Sequence, residues 1–473
     1  MPPGQEIRDA SSAHSVGRHD RNLNVSFSHS TIAAIATATA PSAVGILRIS
    51  GPASLAIADA MTRGKASTAK ERQARLCRVY DVDGCLIDET LLTVFRGPRS
   101  YTGEDVCEFA GHGGILVMRS LLDRALACGA TMAGPGEFTQ QAFLHGKLDL
   151  TQAEGVMDLI SAQTHHALRA AHEQREGKLG RQTEIARDEL LECIAHVEAY
   201  IDFPEEDISP EVGQALQKKL TAIASTLRHL LATADRGRIL REGVRTVIYG
   251  APNTGKSSLL NRLLGYERAI VSQIAGTTRD SIEESVNVGG ILLRLTDTAG
   301  LRHETDDLIE QEGIRRSEKL REQADLVLAL FDATRQRPPQ MPSPLHEHQN
   351  VLILLNKIDC GEHASWQDTE ALRISCLSGS GMEQLEEAIA SLMLDRTMDD
   401  GHSLVSINAR HQDCLRRALL SIEQTLPALK REEDLTLISI ELRSAMHALG
   451  EIAGKIDSDD ILGVIFSRFC IGK

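Results

Sequence analysis

The chain has 473 residues, too many for one hydrophobic core, and its 42% hydrophobic and 25% charged content is that of a globular protein built from several domains. A formal charge of −15 and an aromatic content of 3%, with Trp366 the single tryptophan, exclude two ways of holding RNA: a broad cationic surface that gains affinity by releasing counterions, and an exposed platform of stacking rings. Nine scattered cysteines without a C-x-x-C pair exclude a disulfide framework or zinc knuckle and suit a reducing cytoplasm, and no apolar run approaches the roughly 18 residues of a membrane span.

Residues 1–28 are polar and of mixed charge, with no apolar stretch like the core of a signal peptide, and read as a disordered extension or as a start codon placed too early. From 29 to 148, short β-like runs at 44–49 and 90–95 alternate with glycine-rich turns such as Gly111-His112-Gly113-Gly114, the texture of an α+β domain. Apolar residues from Ile115 to Leu126 recur near helical spacing and predict a helix after that turn. Gly-His-Gly-Gly also occurs in esterase oxyanion loops, but no G-x-S-x-G elbow accompanies it, so it reads as a tight turn.

From 149 to 240 long helical patterns take over, at 153–171, at 189–201 and again at 212–235, with Pro204 breaking the pattern between the last two. Strand-like and helical patterns alternate from 241 to 395, the rhythm of a parallel α/β sheet, and helical texture returns from 396 to 473. The expected architecture is therefore multidomain: an α+β N-terminal domain, then an α-helical domain interrupted by a Ras-like α/β P-loop GTPase domain.

The α/β segment carries the chemistry. A strand-like run at 244–249 leads into Gly250-Ala251-Pro252-Asn253-Thr254-Gly255-Lys256-Ser257, which fits G-x-x-x-x-G-K-[ST]. Glycines let the backbone turn so that its N–H groups face phosphate oxygens, with Lys256 at the β- and γ-phosphates and the Ser257 hydroxyl on magnesium. Ser258 opens the following helix, whose positive end faces the same phosphates. A second strand leads into Asp297-Thr298-Ala299-Gly300, where Asp297 would hold magnesium through water and Gly300 would sense the γ-phosphate. A third leads into Asn356-Lys357-Ile358-Asp359: the Asp359 carboxylate can accept from guanine N1 and N2, a donor pair that adenine lacks, while Asn356 faces the base edge. A fourth leads into Ser375-Cys376-Leu377, the last guanine-contacting loop. Four motifs in order, each at the carboxyl end of a parallel strand, predict binding and hydrolysis of GTP.

Ras-like enzymes orient the attacking water with a Gln after the D-x-x-G glycine; here that position is Leu301, which cannot hydrogen-bond a water. The acidic run Glu304, Asp306, Asp307, Glu310 and Glu312 supplies candidates for the role. Asn253 and the segment Ser272-Gln273-Ile274-Ala275-Gly276-Thr277-Thr278 offer neutral oxygens that could hold a monovalent cation in place of an arginine finger.

On these and other residues the chain resembles the MnmE/TrmE family of tRNA-modification GTPases. The further markers are Gly45-Ile46-Leu47-Arg48-Ile49-Ser50-Gly51, Ser100-Tyr101-Thr102-Gly103-Glu104-Asp105, Pro135-Gly136-Glu137-Phe138-Thr139, Lys147-Leu148-Asp149-Leu150, Ile201-Asp202-Phe203-Pro204-Glu205-Glu206-Asp207, Ala275-Gly276-Thr277-Thr278-Arg279-Asp280 and the ending Phe469-Cys470-Ile471-Gly472-Lys473. The resemblance implies an enzyme that works with the FAD-dependent protein MnmG, as a heterotetramer, to add an aminomethyl or carboxymethylaminomethyl group to the wobble uridine of certain tRNAs. It implies an N-terminal domain, residues 29–148, that binds a 5-formyl- or 5,10-methylene-tetrahydrofolate and forms a homodimer. By motif match, Asn253, Ser272, Ile274 (through its carbonyl) and Thr277 would hold potassium, and Ser257 and Thr278 magnesium. Glu310 would orient the water, with Glu312 a weaker candidate because the chain has one extra residue after Arg302. Arg48, Glu108, Lys147 and Lys473 would bind folate, the cations meeting its glutamate tail and the carboxylate its pterin.

Cys470 has two readings: a thiolate or redox-sensitive group near Lys473, or a small apolar residue closing a helix. The family match favours a role at the folate site. The competing function is a regulatory GTPase of ribosome assembly or stress response without tRNA chemistry, which the G motifs fit equally well. The negative charge predicts that MnmG presents much of the basic surface for tRNA.

Overall fold

The computed structural model describes residues 30–202, 210–265, 284–295, 318–346, 349–394, 407–430, 435–455, 459–467 and 469–473. These fall into two compact units: one comprises the described residues up to Ser100, Glu104–Ala133 and Gly472, the other Tyr101–Gly103, the described residues of Gly134–Ile471, and Lys473.

The first unit is built on strands β1 (Ile32–Ile35), β2 (Val44–Ser50), β3 (Arg75–Tyr80), β4 (Leu86–Phe95), β5 (Val106–His112) and β6 (Thr131–Met132). They pair in the order β3-β4-β5-β2-β1-β6, antiparallel except for the parallel β1–β6 edge. Strand β4 shows why one face is dry: Asp88, Thr90, Leu92 and Val94 alternate inward while Leu91 stays exposed. Helices α1 (Ser54–Thr62) and α2 (Ile115–Ala127) cover that face, so that Ile57, Met61, Met118 and Leu121 share a core with Leu47, Ile49, Leu92 and Phe109. Helices on one side of a mostly antiparallel sheet make this an α+β unit.

In the second unit, helices α3 (Glu137–Leu144), α4 (Leu150–Ser161), α5 (His165–Arg175), α6 (Lys178–Asp202), α7 (Pro210–Ala232) and α8 (Ala234–Glu242) precede a parallel sheet. After the sheet come α11 (Ala409–Lys430), α12 (Leu435–Ala453) and α13 (Asp459–Phe466). The helices before and after the sheet share one core: Leu190 and Val197 of α6 and Leu220 and Leu227 of α7 pack in one cluster with Leu415 and Ile422 of α11 and Leu442 and Leu449 of α12. Each such leucine, buried fully, stabilises the fold by about 1.5–3 kcal/mol. One helical body is thus interrupted by the α/β segment.

Two helix boundaries differ from the sequence pattern. The run 153–171 is two helices, α4 and α5, because Thr164 caps the second: its hydroxyl accepts from the Ala167 N–H at 3.1 Å. Gly155 then lets α4 approach the end of α5, since a Cβ there would stand 2.8 Å from the Arg175 nitrogen. The run 212–235 breaks at Thr233, whose hydroxyl donates to the Leu230 carbonyl at 2.8 Å, and α8 sets out from there. Residues 203–209, with Pro204, lie outside the described residues.

The inserted sheet contains β7 (Val244–Tyr249), β8 (Glu284–Val288), β9 (Ile291–Leu295), β10 (Leu326–Asp332), β11 (Asn350–Asn356) and β12 (Leu372–Arg373), with α9 (Lys256–Leu264) after β7 and α10 (Met382–Leu394) after β12. The order is β12-β11-β10-β7-β9-β8, parallel throughout except for the β8–β9 hairpin. β10 reads Leu-Val-Leu-Ala-Leu-Phe-Asp and is buried at six of its seven positions, as a strand covered on both faces must be. At the amino end of this sheet the Asp325 carboxylate receives Arg238 of α8 at 3.1 Å and Arg245 of β7 at 3.2 Å, fixing the helix that leads into the sheet. The carboxyl ends of β7, β10, β11 and β12 lie along the opposite edge, where the motif loops emerge.

Candidate functional site

The loop between β7 and α9 turns on residues that no side chain could replace. A Cβ on Gly250 would collide with the Leu330 carbonyl, and one on Gly255, at φ 99°, with the side-chain amide of Asn356. Gly255 sits at the cap of α9, whose first-turn N–H groups have no carbonyl inside the helix and carry the positive end of its dipole. Thr254 is buried and its hydroxyl donates to the Ala251 carbonyl at 2.9 Å. The Lys256 ammonium reaches the same carbonyl at 2.9 Å and closes over the loop. Ser257 and Ser258 follow on the first turn of α9, and Asn253, in the loop, adopts a left-handed φ of 65°.

The base end is assembled from the β11 and β12 loops. Asn356 is buried, and its amide ties loops together: Nδ2 donates to the Thr254 carbonyl at 2.9 Å and Oδ1 accepts from the Cys376 N–H at 3.0 Å. It joins the phosphate loop to the final guanine loop. Lys357, at φ 68°, sends its ammonium back to the Asn253 carbonyl at 2.7 Å and to Asp332 Oδ2 at 2.8 Å. The Ser375 hydroxyl beside Asp359 holds that carboxyl below its ordinary range, so the group stays an acceptor for two N–H donors. Burial pushes the Cys376 thiol up to about 11, which leaves it neutral at physiological pH, while the Leu377 side chain is 86% exposed.

Asn253, Thr254, Gly255, Lys256, Ser257 and Ser258 therefore share one edge of the sheet with Asn356, Lys357, Asp359, Ser375, Cys376 and Leu377. Ser272, Ile274, Ala275, Gly276, Thr277, Thr278, Asp297, Thr298, Ala299, Gly300, Leu301, Glu310 and Glu312 lie outside the described residues. The glycine-only cradle facing a helix N-terminus fits a chain of phosphates, and the ionised Asp359 fits guanine. Ser257, on that first turn, fits one place on a magnesium ion. Asp332, which no motif contains, was missed by the sequence reading; its position at the end of a strand is the signal that could have found it.

A second constellation lies in the N-terminal unit. Arg48 of β2 and Glu108 of β5 are directly opposite in the strand register, and Nε meets Oε1 at 2.8 Å with both side chains largely buried. Arg48 also donates to the carbonyl of Gly472 at 3.2 Å. Gly472 is buried at φ 97°, where a Cβ would stand 2.6 Å from the Ile35 carbonyl, so only glycine fits. In the other unit, Ile471 bridges Pro135, the Cys470 carbonyl accepts from the Gly136 N–H at 3.3 Å, and Phe469 is buried with Phe466 and Leu150. The Cys470 side chain is exposed, as is Lys147, and Lys473 is partly buried. A paired cation and carboxylate beside a chain end fit a ligand with an acidic tail and an amino-substituted ring.

A third cluster is internal. Glu154 of α4 receives Arg410 of α11 at 3.0 and 3.1 Å, and Nε2 of the fully buried His411 stands 2.6 Å from its Oε2, poorly aligned for a hydrogen bond. His411 Nδ1 accepts from the Asn408 N–H at 3.3 Å. Among the described residues no group of three or more His, Cys, Asp or Glu side chains is arranged to hold a metal ion, and no helix is long and apolar enough to cross a membrane.

Two family models match the chain: the MnmE helical domain over residues 150–470 and the GTP-binding protein TrmE N-terminus over 31–147. A tRNA modification GTPase MnmE from Akkermansia muciniphila is 48% identical over 94% of this chain and 99% of that protein. The proteins of that name from Alkaliphilus metalliredigens and Geobacter sulfurreducens are 41% and 42% identical over 94% of this chain and 100% and 99% of theirs. Among solved structures, the cytosolic domain of the T. maritima FeoB iron transporter in its GMPPNP form covers 44% of this chain and 98% of that one, at 22% identity and a TM-score of 0.23.

Proposed function

The chain belongs to the MnmE family of tRNA modification GTPases, and from that premise we propose a potassium-dependent GTP hydrolase that acts with an FAD-dependent protein of the MnmG type. Together they modify the wobble uridine of certain tRNAs at C5, adding an aminomethyl or carboxymethylaminomethyl group. The one-carbon unit comes from a 5-formyl- or 5,10-methylene-tetrahydrofolate. On this reading residues 29–148 bind folate and form the homodimer, 241–395 are the G domain, 149–240 and 396–473 are the two parts of the helical domain, and the heterotetramer with MnmG works in the cytoplasm.

In hydrolysis, water attacks the γ-phosphorus of GTP and GDP leaves with its β-oxygen. Lys256 and the N–H groups at the start of α9 hold the phosphates, Ser257 with Thr278 and Asp297 orders magnesium, and Asp359 selects guanine. Asn253, Ser272, Thr277 and the Ile274 carbonyl hold potassium, which supplies positive charge where the transition state gains negative charge. Glu310 orients the water that Leu301 cannot.

The observation that carries the tRNA reading over a purely regulatory GTPase is the chain end. The Gly472 carbonyl rests on Arg48 beside Glu108, two residues after Cys470. A regulatory switch needs the guanine site but no such tail. Mass spectrometry of wobble nucleosides from a strain lacking the protein tests this: the C5-modified uridine disappears, and returns with wild type but not with Cys470→Ser. An unchanged nucleoside profile, with no second copy of the gene, would leave the regulatory reading standing. Equal GTP turnover in potassium and in sodium would remove the cation from the mechanism.

A further inference from the structure

A carboxylate that belongs to none of the motifs stands at the nucleotide edge. Asp332 is the last residue of β10, and its side chain is 6% exposed. Oδ1 accepts from the N–H and the hydroxyl of Thr334, at 3.0 and 2.7 Å, which fixes the carboxylate plane. Oδ2 is left to face the Lys357 ammonium at 2.8 Å, with Arg335 at 3.8 Å. Burial raises the Asp332 carboxyl, but the bonds from Lys357 and Thr334 outweigh it and keep the group below its ordinary range.

The ammonium on the other side of that pair donates to the Asn253 carbonyl at 2.7 Å. Asn253 and Lys357 are two of only four non-glycine residues with a left-handed φ among the described residues. Such a conformation costs on the order of 1 kcal/mol and persists only when neighbours hold it. One ammonium links both strained residues, and one buried anion fixes the ammonium. Lys357 is 36% exposed, so without Asp332 its long side chain could turn to water and leave Asn253 with one tie fewer.

We propose that Asp332 is a positioning residue of the guanine-nucleotide site: it holds the Lys357 ammonium on the Asn253 carbonyl and so keeps the phosphate loop in its receiving shape before nucleotide arrives. The inference rests on the GTPase reading, and needs neither potassium, folate nor a partner protein.

The test follows dissociation of a fluorescent GDP from the full chain in sodium buffer with magnesium. In Asp332→Asn the side-chain carbonyl still serves Thr334 while an NH2 group faces the ammonium, so the dissociation rate rises about 10-fold, equivalent to about 1.4 kcal/mol. Asp332→Glu keeps the charge and restores part of the loss. Lys357→Met releases GDP faster still, and the double variant Asp332→Asn/Lys357→Met is no worse than Lys357→Met, because both changes break one relay. Thr334→Val loosens the anchor of the carboxylate without touching Lys357 and stays within about threefold of wild type on the same scale. Rates for Asp332→Asn within twofold of wild type, effects that multiply in the double variant, or an equal effect of Thr334→Val would overturn the inference. Failure of the guanine-site reading would look different: wild type itself would not bind GDP. Should Asp332→Asn not fold, the double variant Asp332→Glu/Lys357→Met decides: a rate no worse than that of Lys357→Met supports one relay, and effects that multiply overturn it.

Discussion

Replacing Glu154 by Gln removes one charge from the core that joins the helices on either side of the inserted sheet. The carboxylate takes two hydrogen bonds from Arg410 and faces His411 Nε2 at 2.6 Å. Burial alone would raise its pKa, but His411 and Arg410 override that and hold the carboxyl far below the ordinary range. Removing one partner of a buried pair costs about 3–5 kcal/mol. Arg410 is 19% exposed and keeps its bonds to the carbonyls of Glu451 and Ile452, at 2.7 and 3.1 Å, so the expected loss is about 2–4 kcal/mol. The assay is urea unfolding followed in two ways on the same sample. Far-UV circular dichroism reports mainly the helices, while fluorescence of the single Trp366, buried between β10 and β11 loops, reports the α/β segment. The helical midpoint should fall by about 1–2 M and the Trp366 transition should stay in place. The pH dependence has a definite sign. Glu154 is depressed, so its contribution is present above the unfolded value near 4.3 and is lost as pH falls below it. Burial also holds His411 low, so its contribution is lost as pH falls below about 6.5, in the same direction. Wild type and variant therefore both weaken below about pH 6.5 through His411, and only below about pH 4.3, where Glu154 begins to be lost, does the variant weaken less. A midpoint shift worth under about 0.5 kcal/mol, or a Trp366 transition that moves as far as the helical one, would refute the idea that Glu154 binds the two sets of helices into one core.

Asp158, one turn along α4, has the opposite sign: burial pushes its carboxyl up to about 6, Glu154 and Glu242 add to that, Arg241 opposes it, and Oδ2 has no hydrogen-bond partner. Asp158→Asn should stabilise the helices by about 2–3 kcal/mol at pH 8 and lose that advantage progressively between about pH 6 and pH 4, because the unfolded acid ionises from near 3.9 upward while the folded one resists up to its raised pKa. Asn356→Ala leaves the Thr254 carbonyl and the Cys376 N–H without their partner, a loss of about 2–4 kcal/mol that titration calorimetry would read as about 30- to 1000-fold weaker GDP binding. In Gly472→Ala the new Cβ meets the Ile35 carbonyl, so the chain end should come free; carboxypeptidase should trim it at least about 10-fold faster than wild type, and equal rates would show that the tail was never held.

Much of this architecture is legible in the sequence where one physical rule dominates. The β7 run is legible because Val244, Thr246, Val247 and Ile248 are buried in the sheet's core, and a glycine stands directly before and after it. The glycines of the phosphate loop announce themselves because collisions exclude every other residue. What could not be read is set by tertiary contact. The break between α4 and α5 leaves apolar spacing intact on both sides and depends on one threonine hydroxyl. The pairing of Asp332 with Lys357 joins residues 25 apart in sequence that no local pattern connects. Asn356 reads as a base contact from its motif, yet both ends of its amide are committed to other loops.

The bond from Arg48 to Gly472 spans 424 residues. At a synthesis rate of about 5–20 residues per second, the first strands emerge from the ribosome about 20–85 s before the glycine that completes their unit exists. During that interval the Arg48 guanidinium lacks the Gly472 carbonyl that it meets in the finished unit. The unit that forms first in time is therefore finished last, and a chain cut short by even two residues would carry an intact guanine site and an incomplete N-terminal unit.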